Sequence, residues 1–524
     1  MRSEILKTYR VLHTWTGLVS GMALFVAFYA GALTLFKDPI TAWATPPVEG
    51  GETVISLDDA SILISKTLEV RPEIAKGFDL RLAPGTTAVE GLEWMQSADE
   101  HDRLSGQGFL ATSSPSGELV VRAAPRSKVG EQIDVLHRVV GLPIDGDLTR
   151  LVTGFFAILY FLAVVSGLVI VLPTLTRDFL ALRLEATLRR MWRDVHNVVG
   201  IGSFPFHVVI ALSSATFALH DGIYGLQNLT VHEGKLGAMF RGGAPKPPPG
   251  PRELGALRSP EEIVAAVREV APELELTSLQ YVALESPRAA VRVWGRDARG
   301  FESRAPGGFA MVDPYTGEVL TTQYVPGHQS FAGALLSSVF ALHFGSFGGT
   351  PVKAMYFILA LLGAWLFYSG NVLWVEARRK TAKKTKVAAP EQARAVRRMA
   401  SLTVGVCVGS MIGISAMLVA TKAGVEEVSG LRVVYYSIWF SSVGWSFFRG
   451  PGRASVELLS ILSMATLAIP LSSALGTVRL GWAHADTVGV DVVAAAMGLG
   501  FAVMASKTAR RVYGGPLDSV WSAR

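Results

Sequence analysis

Four of the ten histidines stand at matched places in two stretches of similar sequence. HTWTG at His13 and HNVVG at His196 each open an apolar run, with a glycine four residues later. VLHRVVG at His137 and ALHFGSFGG at His343 each come just before a second apolar run. Those second runs both close on a Ser-Gly pair, at Ser166 and Ser369. Ionisable side chains at the edge of a hydrocarbon layer are costly to keep and usually functional. One isolated histidine at a helix end would more simply hydrogen-bond water or a headgroup. Four at matched positions outweigh that reading.

The elements that hold these histidines follow from composition. The chain has 524 residues, of which 50% are hydrophobic and 18% charged; soluble domains carry about 25% charge. The apolar residues gather in eight blocks near 12–36, 149–173, 196–219, 352–375, 399–421, 431–448, 455–477 and 487–507. Each is long enough, or nearly so, to cross a core of about 30 Å as helix. The sixth is the shortest. The fold class expected is therefore a polytopic α-helical membrane protein with about eight transmembrane helices.

Charge sets the orientation. Basic residues cluster at alternate ends of the blocks: Arg2, Lys7 and Arg10; Arg189, Arg190 and Arg193; Arg378 through Arg398; Arg449 and Arg453; Lys507, Arg510 and Arg511. The positive-inside rule then puts both termini in the cytoplasm and the long polar segments outside. The net charge of +6 is thus an orientation signal, and nucleic acid is excluded as a partner. The lone Cys407 excludes disulfides within the chain and a cysteine zinc cluster. It reads as a small core residue of the fifth span.

This gives a first span in 1–36, an external domain in 37–148, two spans with a basic loop in 149–219, and a second external domain in 220–351. A fourth span (352–376), a basic linker (377–398), a four-helix block (399–507) and a tail (508–524) follow. The two external segments look like copies. SLDDASILISKTLEVRPEI and SPEEIVAAVREVAPELE each start with a Ser cap and an acidic first turn. LATSSPSGELVVRA and AMVDPYTGEVLTTQ are hairpin candidates. Their remaining histidines, His101, His232 and His328, read as solvated, and 244–253 as a stiff Pro-rich linker. The last four spans show no such echo and hold a single histidine, His484.

The histidine pattern and the two external domains resemble the PepSY-associated transmembrane family, over roughly residues 5–380. Its members include bacterial iron-regulated inner-membrane proteins and siderophore-iron reductases that hold b-type haems. The resemblance implies two small α+β, PepSY-like external domains inserted in an internally repeated four-helix haem-binding unit. Neutral imidazole is a normal axial ligand for haem iron. Topology pairs His13 with His196 on the inner side and His137 with His343 on the outer side, giving two bis-histidine haem b groups.

Residues four apart share a helix face, so Gly17, Gly141 and Gly200 could clear room for a flat macrocycle or serve close helix packing. His207 lies 11 residues past His196, about 16 Å further along the helix, behind a helix-kinking Pro205. His207 and His220 are further candidates for ligation or for a third haem. The expected function is electron transfer across the bacterial inner membrane to a ferric siderophore or other ferric chelate in the periplasm. No nicotinamide or flavin fingerprint is present, so the electron donor is a quinol or a separate reductase. Alternatives are an iron or siderophore permease component and a PepSY-type sensor or scaffold without redox activity.

Overall fold

Serine at the head of an acidic turn, apolar runs and Pro-Gly turns lay out the chain, and the computed structural model follows them. It describes residues 3–46, 54–96, 106–124, 126–144, 147–178, 188–235, 252–296, 307–380, 391–480 and 488–523. His101, His484, nearly all of the Pro-rich stretch and much of the basic linker lie outside the described residues. The chain forms two units, one of residues 1–47, 127–219 and 354–524, the other of 48–126 and 220–353.

The first unit is helical. It contains α1 (Ser3–Thr34), α2 (Lys37–Ala44), α4 (Val129–Arg138), α5 (Asp147–Val171), α6 (Leu188–Gly202) and most of α7 (Phe204–Thr230). Further along the chain come α10 (Gly349–Ala377), α11 (Arg394–Lys422), α12 (Val428–Arg449), α13 (Pro451–Leu480) and α14 (Val488–Gly514). The expected third span is two helices, α6 and α7, separated at Ser203. Proline at 205 removes a backbone donor and clashes with the preceding turn, which explains the break.

Seven of the described helices are long and apolar enough to cross a membrane. The sixth block, α12, is a 22-residue helix that falls short of this criterion. Arg432 and several serines dilute its apolar content. Small residues seat it instead. A Cβ at Gly405, Gly409 or Gly413 of α11 would come within 2.7 Å of Val443, 2.6 Å of Ser442 or 2.8 Å of Tyr435 on α12. Such four-residue glycine spacing lets helix backbones approach closely in a bilayer. Cys407 is buried on α11, as its apolar surroundings suggest.

The second unit corrects the expectation of two separate outer domains. Helices α3 (Leu57–Val70) and α8 (Pro260–Val270) begin with serine caps at Ser56 and Ser259, the latter in a capping box with Glu262. Both expected hairpins form: β3 (Gln107–Ser113) with β4 (Leu119–Ala123), and β7 (Gly308–Val312) with β8 (Val319–Tyr324). With β1 (Gly77–Leu82), β2 (Val89–Gln96), β5 (Glu275–Val282) and β6 (Ala290–Arg296) they make one antiparallel sheet, ordered β4-β3-β2-β1-β5-β6-β7-β8.

The two copies join through β1 and β5, where Phe78 stacks on Tyr281 at 4.5 Å. One core spans both, with Leu80, Leu92, Ile263, Leu279 and Val293 all fully buried. Each copy alone would leave its first strand as an open edge, a liability in water. Pairing removes both edges. The unit also contains α9 (Phe331–Phe344), which precedes α10.

Candidate functional site

The site is built from helix ends that the repeat places twice. His13 lies near the start of α1, half-buried, and its Nδ1–H donates to the Ala163 carbonyl of α5 at 2.9 Å. Ser166 Oγ is 3.3 Å from the same nitrogen. Gly167 lets the ring lie against α5, because a Cβ there would sit 3.0 Å from His13 Cε1. The second copy repeats this catch. His196 Nδ1 is 2.8 Å from Ser369 Oγ, and a Cβ at Gly370 would sit 3.8 Å from His196 Cε1. Ser369 already donates its own proton to the Leu366 carbonyl, so it accepts from His196 Nδ1–H.

The Ser-Gly pairs noticed in the sequence are therefore the parts that orient the histidines. In both cases Nδ1 carries the proton and Nε2 keeps its lone pair, the state a metal-binding imidazole needs. Gly17 has nothing within 4 Å of its missing side chain, and Gly200 has only Leu366 at 3.9 Å. That open space suits clearance. His196 lies within electrostatic range of both His13 and His207.

His137 sits in the last turn of α4, and its Nδ1–H donates to the Ala27 carbonyl of α1 at 2.8 Å. Gly31 makes this docking possible, since a Cβ there would fall 2.8 Å from the ring nitrogen. Nothing in the spacing of the sequence singles out Gly31. Gly141 has a different task from the one expected. Helix α4 ends at Arg138, so Gly141 is not one turn above His137 on a shared face. It adopts a left-handed conformation with φ +79°, and its N–H closes the helix end onto the Leu136 carbonyl.

His343 occupies the matching place on α9, one residue before the helix ends, followed by the left-handed Gly345. Its ring meets Phe344 edge-on at 5.3 Å. His137 and His343 belong to separate units.

His207 is the most enclosed of these imidazoles, 5% exposed. Its Nδ1 is 2.6 Å from the Tyr160 hydroxyl, and Phe28 and Phe206 line the ring at 5.9 and 5.6 Å. Its Nε2 is buried with no hydrogen-bond partner among the described residues. Gly363 makes the space, because a Cβ there would lie 3.2 Å from His207 Cε1 and 2.5 Å from Phe28. His220 Nε2 lies 3.0 Å from Asp221 Oδ1, and Tyr224 stands at its ring edge. Among the described residues no three His, Cys, Asp or Glu side chains form a cluster able to hold a bare metal ion. His13, His137, His196 and His343 stand instead as single imidazoles on four separate helices.

With this geometry established, comparison with known proteins becomes informative. The family described as the PepSY-associated TM region matches residues 10–377, more than half of the chain. The chain belongs to the PepSY-associated transmembrane family. No curated protein matches it. The family match covers both copies of the repeat and all eight strands of the sheet, and it ends where α10 ends. The C-terminal block, α11 to α14, stands outside it.

Proposed function

We propose that the chain is a b-type dihaem oxidoreductase of the bacterial inner membrane, passing single electrons outward to a ferric chelate such as a ferric siderophore. In this reading both termini are cytoplasmic and the sheet-bearing unit is periplasmic. The observation that carries it is the common state of His13 and His196. Each has Nδ1 tied to an oxygen of a neighbouring helix, which leaves Nε2 as the nitrogen that faces a ligand bond, and His137 Nδ1 is tied to the Ala27 carbonyl in the same manner.

His13 and His196 would hold an inner haem b, and His137 would be a ligand of an outer one. When bound, the haems would supply one-electron redox chemistry. The chain does the rest. Ser166, Ser369 and the Ala27 and Ala163 carbonyls orient the rings of His13, His196 and His137, and such outer contacts raise the basicity of a ligating nitrogen. Gly17 and Gly200 keep the adjoining turns of α1 and α6 bare. Tyr160, Phe28, Phe206 and Phe367 pack ring against ring in the interior. A quinol or a reductase partner supplies the electron.

The decisive measurement is an optical spectrum of the purified chain from haem-replete cells, with haem quantified per polypeptide. About two haems with low-spin bis-histidine bands are expected. A chain without a Soret band would end the proposal.

A further inference from the structure

The C-terminal block meets the repeated unit at a particular place, around His137. Helix α12 presents Arg432, Tyr435 and Tyr436 on one face, three and four residues apart. Arg432 Nε–H donates to Gln132 Oε1 at 3.4 Å, five residues before His137. The Tyr436 hydroxyl donates to the Leu142 carbonyl at 2.9 Å, five residues after it. Between them the buried Tyr435 closes over Gly141, where an added Cβ would lie 3.4 Å from its hydroxyl. The ligand helix is thus bracketed on both sides of its histidine. Helix α12 is itself seated on α11 by the three glycines, and Trp439 Nε1–H donates to the Val406 carbonyl at 3.0 Å.

A second hold reaches α4 through α2. Trp43 of α2, 2% exposed, donates through Nε1–H to Ser473 Oγ at 2.8 Å and Asp491 Oδ1 at 3.0 Å, on α13 and α14. Lys422 of α11 lies over its ring at 4.6 Å. Helix α2 then grips α4: Lys37 pairs with Glu131 and approaches Asp134 at 3.8 Å, and Thr45 Oγ1 accepts from the Ser127 N–H at 3.1 Å. A ten-residue helix such as α4 is marginal without tertiary support. All four C-terminal helices contribute to supplying it.

We propose that the C-terminal four-helix block is a positioning clamp for α4, setting the ring orientation of His137 and hence the ligand field of the outer haem. The proposal rests on the dihaem reading and assigns the block no electron-carrying role. His137 is the ligand; Arg432, Tyr435 and Tyr436 are positioning residues that act through it.

The test uses the full chain in nanodiscs, comparing wild type with Tyr436→Phe, Arg432→Leu and the double variant, and with Tyr513→Phe as an exposed control. Amide exchange across 136–142 should quicken by about fivefold in Tyr436→Phe, the worth of one hydrogen bond, with 188–202 unchanged. In redox titration and low-temperature EPR, the outer haem should shift in potential and in g-anisotropy while the inner haem keeps both. The clamp is overturned if exchange and the outer signals match wild type, or if both haems move together. Absence of haem from the wild-type chain would sink the functional reading instead, and exchange on that chain would still show whether α12 holds α4.

Discussion

The two copies of the helical repeat solve one problem in the same way and then diverge. His13 rests on Ala163, Ser166 and Gly167 of α5, and His196 on Ser369 and Gly370 of α10. Eleven residues along, the first copy has Leu24 and the second has His207. Six residues before the catching serine, the first copy has Tyr160 and the second Gly363. These differences meet in one spot: Tyr160 bonds His207, and Gly363 leaves the room for it. Symmetry serves the paired histidines. Asymmetry was introduced at the centre, where a single polar side chain had to be housed in an apolar interior.

Removing the histidines breaks the comparison most severely. His13→Ala and His196→Ala should each remove the same inner haem, and His137→Ala the outer one. Haem per chain should fall from about two to about one in every case. Along α1 the rise from His13 to Ala27, where His137 docks, is about 21 Å, too far for one haem to span. Loss of different haems in His13→Ala and His196→Ala would dissolve the pairing.

The catches themselves differ in redundancy. Ser369 is the hydrogen-bond partner found for His196 Nδ1, whereas His13 has a backbone carbonyl as well as Ser166. Ser369→Ala should therefore weaken retention of the inner haem by about 10- to 100-fold, the usual effect of losing an outer-shell contact. Ser166→Ala should weaken it much less. Haem-transfer competition with an apo-acceptor protein measures both, and equal losses would mean that the two catches are not distinguished by the carbonyl.

At the asymmetric centre, Gly363→Val should cost about 1–3 kcal/mol by overpacking against Phe28 and His207. Tyr160→Phe should cost about 1–3 kcal/mol by stripping the buried His207 Nδ1 of its partner. The double variant Tyr160→Phe, His207→Leu should recover most of the second loss, because removing both partners leaves nothing unsatisfied. Thermal unfolding in detergent reports all three. A double variant less stable than Tyr160→Phe would show that His207 has a role beyond that bond.

The smallest expected effect concerns the seam of the eight-stranded sheet, where the copies again differ. Asp79 of β1 sits opposite Gln280 of β5. Burial, then the charge of Glu93, raise the Asp79 carboxyl from its ordinary 3.8 to about 6, against smaller opposing effects of Gln280 and Arg292. Between about pH 4 and pH 6 the folded chain therefore holds a proton that the unfolded chain releases. Its contribution to stability is full below pH 4 and is lost as pH rises to about 6. Asp79→Asn should flatten that slope in pH-dependent unfolding followed by the sheet's tryptophans, and an unchanged slope would assign it to another group.

The sequence alone determined the membrane class, the repeat, the matched histidines and the capped helices and hairpins of the two long polar segments. These are signals of hydropathy, period and local capping, and they act within a few turns of chain. It also marked the Ser-Gly pairs, without saying what they touch. Only tertiary structure decided that those pairs orient His13 and His196, that Gly31 admits the His137 ring, and that Gly141 ends a helix. It alone joined the two outer segments into one sheet, since nothing local in β1 or β5 announces its partner some 200 residues away. The C-terminal block shows the same limit. Arg432, Tyr435 and Tyr436 read as an ordinary helix face until α4 is packed against them. The physical reason is common to all these cases: a side chain's type and spacing state what it can bond, while its partner is set by which surfaces the whole chain buries together.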